Sequence, residues 1–222
     1  MTRRLLKFAF LTAVVLVASA FYFGGWAVLT IDDLPDYATV GKPVSLTYVA
    51  RQHGVEKLDK LSGDIEARSG KTVVRATVRE NPRTHYTASI TLPHAGDWTI
   101  TVNSGFGSSN AKLIPLRAVD AGGPVLEIAQ AERGRRLFVA KGCITCHVHN
   151  AVSTEGMIQV KVGPDLTEKR YAADYLKMYL ADPSIRRPST PNAMRMPNLE
   201  LKPAEIAAIA AFVNGKPLAS AK

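Results

Sequence analysis

From about Leu34 to Val119, apolar and polar residues alternate with a period of two. Val44, Leu46 and Tyr48 alternate with Ser45 and Thr47, and Val74, Ala76 and Val78 with Arg75, Thr77 and Arg79. Ala88, Ile90 and Leu92 alternate with Ser89 and Thr91, and Trp98, Ile100 and Val102 with Thr99 and Thr101. Successive side chains of a strand point to opposite faces, so this pattern predicts half-buried strands. Gly41-Lys42-Pro43, Ser62-Gly63-Asp64, Ser69-Gly70-Lys71, Asn81-Pro82 and His94-Ala95-Gly96-Asp97 break it at intervals, as turns do. Short strands at this spacing predict a two-sheet sandwich. Asn103–Asn110 reads as a hairpin loop, with a last strand within Lys112–Val119.

The pattern changes at Asp120-Ala121-Gly122-Gly123-Pro124. Beyond it, helical spacing places Gly134 and Phe138 on one face of a helix over Ala131–Phe138. A second helix is predicted over Ala172–Leu180. A third runs over Pro203–Gly215, with Ile206, Ile209, Ala210 and Val213 as its apolar stripe and Phe212 beside it. Pro203 suits the first turn of that helix, and Asn214-Gly215 its end.

Neither period holds at the amino end. Arg3, Arg4 and Lys7 precede an uncharged, largely apolar run from Phe8 to Ile31, against the roughly 20 residues a helix needs to cross a bilayer. Ala18-Ser19-Ala20 offers a small-residue cleavage site, so a removable signal peptide competes with an uncleaved anchor. The run continues past that site through Phe21, Tyr22, Phe23, Trp26, Val28 and Leu29, which favours the anchor, because a secretory apolar region is only about 7–15 residues. Basic residues before the span place the amino end in the cytoplasm and everything after it outside. The expected organisation is a transmembrane anchor over 1–31, an all-β sandwich over 32–120 and an all-α domain over 121–222.

Of the net charge of +9, the leader carries +3, residues 32–120 carry +1 and residues 121–222 carry +5. No basic run is interleaved with aromatics, so nucleic acid is not an expected partner. The +5 reads either as a solvated surface or as a face that steers an acidic redox partner.

The two cysteines of the chain fall within Cys143-Ile144-Thr145-Cys146-His147. Cys-x-x-Cys-His is the attachment site of a c-type haem. Two thiols at this spacing can each add to a vinyl group on one porphyrin edge, and His147 then offers an imidazole nitrogen to the iron. Three other readings are weaker. A thioredoxin-like pair expects a surrounding α/β pattern. A structural zinc site needs four ligands, and His147 and His149 are too close in sequence for finger spacing. A plain disulfide leaves His147 without a role. Copper at His53, His85 and His94 is a further candidate, since imidazole suits that metal, but the three are scattered and form no His-x-His pair. A spacer or docking role for the β-domain is favoured.

Two resemblances extend these readings. Pro93-His94-Ala95-Gly96-Asp97-Trp98 resembles the Pro-x-x-Gly-x-Trp strand entry of small immunoglobulin-like modules of the YtkA/FixH type, which implies an immunoglobulin-like sandwich in an exported membrane protein. The last hundred residues resemble a class I cytochrome c. That resemblance implies one covalent haem c on Cys143 and Cys146, with His147 as one axial iron ligand. It implies that the carbonyl of Pro164, in Gly163-Pro164-Asp165-Leu166, accepts the other imidazole N–H. It also implies that the Ala131–Phe138 helix crosses the last helix at the small residue Gly134. The second axial ligand is expected in Met194-Arg195-Met196-Pro197-Asn198-Leu199, where the proline and leucine that follow favour Met196 over Met194. Met157 and Met178 read as packing residues, and Tyr175, Arg186 and Arg187 as candidate contacts to the haem edge or propionates. His149 is too near His147 to reach the opposite face of the ring.

The implied function is a membrane-tethered single-electron carrier on the outer face of a bacterial cytoplasmic membrane, serving a respiratory or photosynthetic redox complex and not itself an enzyme. A haem with an open sixth site, for gas sensing or small-substrate reduction, and a copper-carrying or assembly role for the β-domain remain as alternatives.

Overall fold

The computed structural model describes residues 25–124, 127–186 and 194–215. Eleven strands come first among these, followed by four α-helices and one short 3-10 turn, Pro183–Ile185. One sheet has the order β1(Ala27–Ile31), β3(Pro43–Gln52), β8(His85–Thr91), β7(Arg79–Asn81), with β4(Glu56–Lys57) also on β3. The other has the order β2(Ala38–Thr39), β11(Leu116–Val119), β9(Gly96–Asn103), β5(Asp64–Ser69), β6(Thr72–Thr77), with β10(Asn110–Lys112) also on β9. All pairings are antiparallel except β2 with β11.

The sheets bury their inner faces against each other. Leu46, Tyr48, Ile65, Tyr86, Trp98 and Ile100 are fully enclosed. Tyr48 and Tyr86 stack with ring centroids 5.3 Å apart, and the Trp98 indole N–H donates to the His94 carbonyl, which removes the cost of burying that donor. The alternating positions behave as the period of two requires: Val44, Leu46 and Tyr48 are buried, whereas Ser45 is exposed. Residues 103–110 join β9 to β10 in register. The segment expected to hold one last strand contains parts of two, because Leu113–Pro115 interrupts pairing before β11.

The end of the expected anchor differs. Ala27–Ile31 is the first strand of the sandwich, paired along its length with Tyr48–Gln52. All five residues are buried: Val28 and Thr30 face the helical domain and the others the sandwich. A strand covered on both faces is continuously apolar, so its sequence has no alternation to separate it from the apolar run upstream. Among the described residues no helix is long and apolar enough to cross a membrane; the rest of the expected span, residues 1–24, lies outside the described residues.

The helical part is built on a crossed pair, α1(Gln130–Ala140) and α4(Pro203–Asn214). They approach so closely at Gly134 that a Cβ there would lie 1.9 Å from the Ala208 carbonyl oxygen and 2.8 Å from the Phe212 Cβ. Phe138 and Phe212 meet edge to face beside this crossing, centroids 5.5 Å apart. The short helix α2(Cys143–Cys146) follows α1 after a turn at Gly142, and α3(Ala173–Ala181) packs against α4.

Buried charges join the two parts. The Lys141 ammonium lies 2.7 Å from a Glu205 carboxylate oxygen, with the two side chains only 3% and 9% exposed, and it also donates to the Asp32 carbonyl at 2.8 Å. At the edge of the interface, Arg133 pairs with the Asp36 carboxylate and Arg136 donates to the Asp36 carbonyl.

Candidate functional site

The residues before and after the cysteine motif fix its geometry. Gly142 takes a left-handed conformation (φ 79°), and a Cβ there would meet the Val28 side chain at 2.4 Å. Glycine alone adopts this conformation freely and also clears strand β1. One helical turn then carries Cys143 and Cys146 on the same side, and His147 leaves the turn in an extended conformation.

The segment 160–166 runs alongside 145–148. The backbone N–H of Val160 donates to the Thr145 carbonyl, that of Gly163 to Cys146 and that of Leu166 to Val148. This short ladder brings the Pro164 carbonyl oxygen to 3.0 Å from His147 Nδ1. A hydrogen bond there makes Nδ1 the N–H donor and leaves Nε2 with its lone pair free. Gly163 gives the imidazole its room: a Cβ would lie 2.4 Å from Cε1 and 2.5 Å from Nδ1 of His147. Burial pushes the His147 pKa below the ordinary imidazole value, partly opposed by the Pro164 bond. The neutral ring, the form that ligates metal, is therefore favoured.

His147 borders two adjoining cavities, of about 310 and 130 Å³. The larger is walled by Phe138, Leu166, Leu176, Leu180, Ile209 and Val213, all buried. Tyr171, Tyr175, Tyr179 and Arg186 form another part of its rim. Cys143 borders both cavities and Cys146 the smaller one. Burial pushes the Cys143 thiol up to about 12, and the Cys146 thiol is raised by the same cause. Met194 and Met196 border both cavities. They differ in exposure, with Met194 45% exposed and Met196 half-buried against the core.

The other sequence-singled residues fall as follows. His149 is buried behind the motif, its ring 4.3 Å from that of Phe212 and its Nδ1 accepting from the Ala151 backbone. Met157 packs at the core margin, and Met178 is 58% exposed on α3. Arg186 donates to the Tyr175 hydroxyl at 3.3 Å, whereas Arg187 lies outside the described residues. His53, His85 and His94 have separate neighbours, Trp26, Asp32 and Trp98, and no group of three or more metal-binding side chains occurs among the described residues.

Several site residues escaped the sequence reading. Tyr171 and Tyr179 flank Tyr175, with Tyr175 and Tyr179 stacked at 6.0 Å one helical turn apart; the i, i+4 tyrosines of α3 were the available signal. Val28, from the β-domain, borders the smaller cavity, and nothing local to its sequence indicates that.

Residues 131–216 match the Cytochrome c family model. The match supports a cytochrome c domain over this segment. The family implies covalently bound haem c, and the residues present fit that group: two free cysteines one turn apart, an imidazole with Nδ1 tied and Nε2 free, two methionines bordering the cavities, and an apolar cavity wall. No curated protein matches the chain. Among solved structures, the Lin-41 filamin domain is 14% identical, covering 45% of this chain and 99% of that one, at a TM-score of 0.34. A putative membrane anchored protein from Corynebacterium diphtheriae is 17% identical, covering 42% and 21%, at 0.32. Domains 4 and 5 of the S-layer protein SbsC are 22% identical, covering 42% and 53%, at 0.28. The chain thus spans about a fifth of the Corynebacterium protein and half of the SbsC domains. With all three scores low, the description of the β-domain rests on its own strand pairing.

Proposed function

We propose that this chain is a membrane-tethered monohaem cytochrome c that passes single electrons on the outer face of a bacterial cytoplasmic membrane. The observation that carries the reading is the bond from His147 Nδ1 to the Pro164 carbonyl, made beside Cys143 and Cys146 at the wall of an apolar cavity that Met196 also borders. When bound, haem c supplies a one-electron iron couple. Cys143 and Cys146 hold it in two thioethers, and with two cysteines in the chain there is one such site. His147 Nε2 and the Met196 sulfur would be the protein atoms offered to its iron. Met196 is preferred to Met194 because its half-buried side chain is the one packed against the core.

With two protein ligands the iron would have no coordination position left for a substrate, which suits a carrier better than an enzyme. A methionine ligand and an apolar surround both raise the potential. Arg186, held by Tyr175, and Arg195 border the cavity and are suited to the carboxylates at a haem edge.

The tether is the uncharged stretch that begins at Phe8 and, with Ala27–Ile31 in the sandwich, ends by Trp26. It is still within the roughly 17–25 residues that span a bilayer. Confinement to the membrane raises the effective concentration of a membrane redox complex, respiratory or photosynthetic, as the partner.

A redox titration of the purified full chain, combined with carbon monoxide exposure of the reduced form, tests the proposal. One single-electron wave and a reduced spectrum indifferent to carbon monoxide are expected. A carbon monoxide spectrum formed without denaturation would place the open-site reading ahead.

A further inference from the structure

The segment that carries the methionines does not rest on the cytochrome domain alone; much of its outer side is held by the β-sandwich. Pro197 packs on Gly54, where a Cβ would lie 3.3 Å from Pro197 Cγ, slightly closer than ordinary contact. Three residues on, the Glu200 carboxylate is 3.1 Å from the Lys57 ammonium and 3.4 Å from Arg51 Nη2. Lys202 pairs with Asp33. Val28 of β1 meets the same loop from below, bordering the smaller cavity together with Met196, Pro197 and Leu199.

Arg51 is an unusual residue at such a place. Its side chain is 4% exposed, and a charge that deep needs fixed partners. Nη1 donates to the Thr30 hydroxyl at 3.0 Å, which leaves Nη2 aimed at Glu200. Glu200 itself is held in the left-handed region (φ 57°), a conformation that costs a non-glycine residue energy and persists where contacts enforce it. Its backbone N–H donates to Asn198 Oδ1 at 2.8 Å, and the Lys57 and Arg51 charges hold its carboxyl below the ordinary range. Strand β1 also reaches the other ligand's segment, since Thr30 donates to the Lys141 carbonyl and Gly142 sits against Val28 and Leu29.

We propose that the β-sandwich is a clamp on the methionine loop, with Arg51, Lys57 and Glu200 as positioning residues that keep Met196 closed over the haem pocket. The proposal rests on Met196 being the sixth ligand. Exposed loops open with low free energy, and each cross-domain contact present in the closed state and absent in the open one lowers the open population. The sandwich thereby sets how readily the methionine leaves the iron. It is part of the redox site and not merely a spacer between membrane and cytochrome.

The test is the rate at which imidazole binds the oxidised full-length protein, a rate limited by loop opening. Glu200→Gln, whose side chain is largely exposed and whose loss leaves both cores intact, is expected to bind imidazole roughly three- to tenfold faster than wild type, the scale of one to a few ion-pair contacts. Lys57→Gln should give a smaller increase. Arg51→Met should give an increase no larger than Glu200→Gln, and adding it to Glu200→Gln should change little, because the Arg51 contact with Glu200 is then already lost. Met196→Ala is the control, binding imidazole fast with no opening step. If Met196→Ala binds at the wild-type rate, the ligand assignment fails and the clamp with it. If Met196→Ala is fast while Glu200→Gln and Lys57→Gln bind at the wild-type rate, the assignment stands and the clamp is overturned.

Discussion

His147 Nδ1 lies 3.0 Å from the carbonyl oxygen of Pro164. The contact joins a residue of the cysteine motif to one 17 positions later, and it depends on Gly163, whose hydrogen occupies the space where any side chain would press on the imidazole. Gly163→Ala must therefore displace the ring or the proline. Bonds of this kind raise ligand basicity, so weakening this one should raise the midpoint potential, by about 59 mV for each tenfold change in the relative binding of the two oxidation states. Potentiometric titration checks it, and an unchanged potential would show that the bond does not orient the ring.

The helix crossing is equally intolerant. Gly134→Ala would put a methyl 1.9 Å from the Ala208 carbonyl oxygen. The helices must then separate, and overpacking of this kind costs about 1–3 kcal/mol. A lower denaturation midpoint with an unchanged m-value is the expected result, along with less haem incorporated into the expressed protein.

Lys141 and Glu205 should be costly to separate and cheap to replace together. Lys141→Met leaves a buried carboxylate facing no cation, and Glu205→Gln leaves a buried ammonium with one ionic partner fewer. Each is expected to lose about 3–5 kcal/mol, whereas Lys141→Met combined with Glu205→Leu should lose much less than the sum. Denaturant titration of the three variants measures the coupling.

Met196→Ala should lower the potential and admit exogenous ligands, while Met194→Ala should do little, as its side chain is 45% exposed. A thioether ligand holds the potential up, so its loss reads directly in a redox titration. The reverse pattern would move the ligand to Met194.

Local patterns made much of this fold legible. The alternation around Leu46, Ile90 and Ile100 marks strands because each has one wet and one dry face, and the spacing of Gly134 and Phe138 puts them on one face of α1, while the crossing there was implied by the resemblance to class I cytochrome c. The relation of Pro164 to His147 was legible through the same resemblance, since a Gly-Pro pair by itself marks only a turn. Strand β1 was not legible, since burial on both faces removes the alternation that identifies a strand. Nor were Arg51 and Lys141: their partners lie 149 and 109 residues away, at Glu200 and Asp32, and only folding shows that these charges are interior. The contacts of the β-domain with the smaller cavity through Val28, and with Glu200 through Arg51, were hidden for the same reason.

The central claim is a single haem c joined covalently through Cys143 and Cys146. It is tested most directly by the intact mass of the denatured full-length protein, expressed where c-type haem is attached, beside Cys143→Ser/Cys146→Ser. The expected result is the polypeptide plus one haem for the wild type and the polypeptide alone for the double variant. A wild-type mass without haem, or haem surviving denaturation in the double variant, would contradict it.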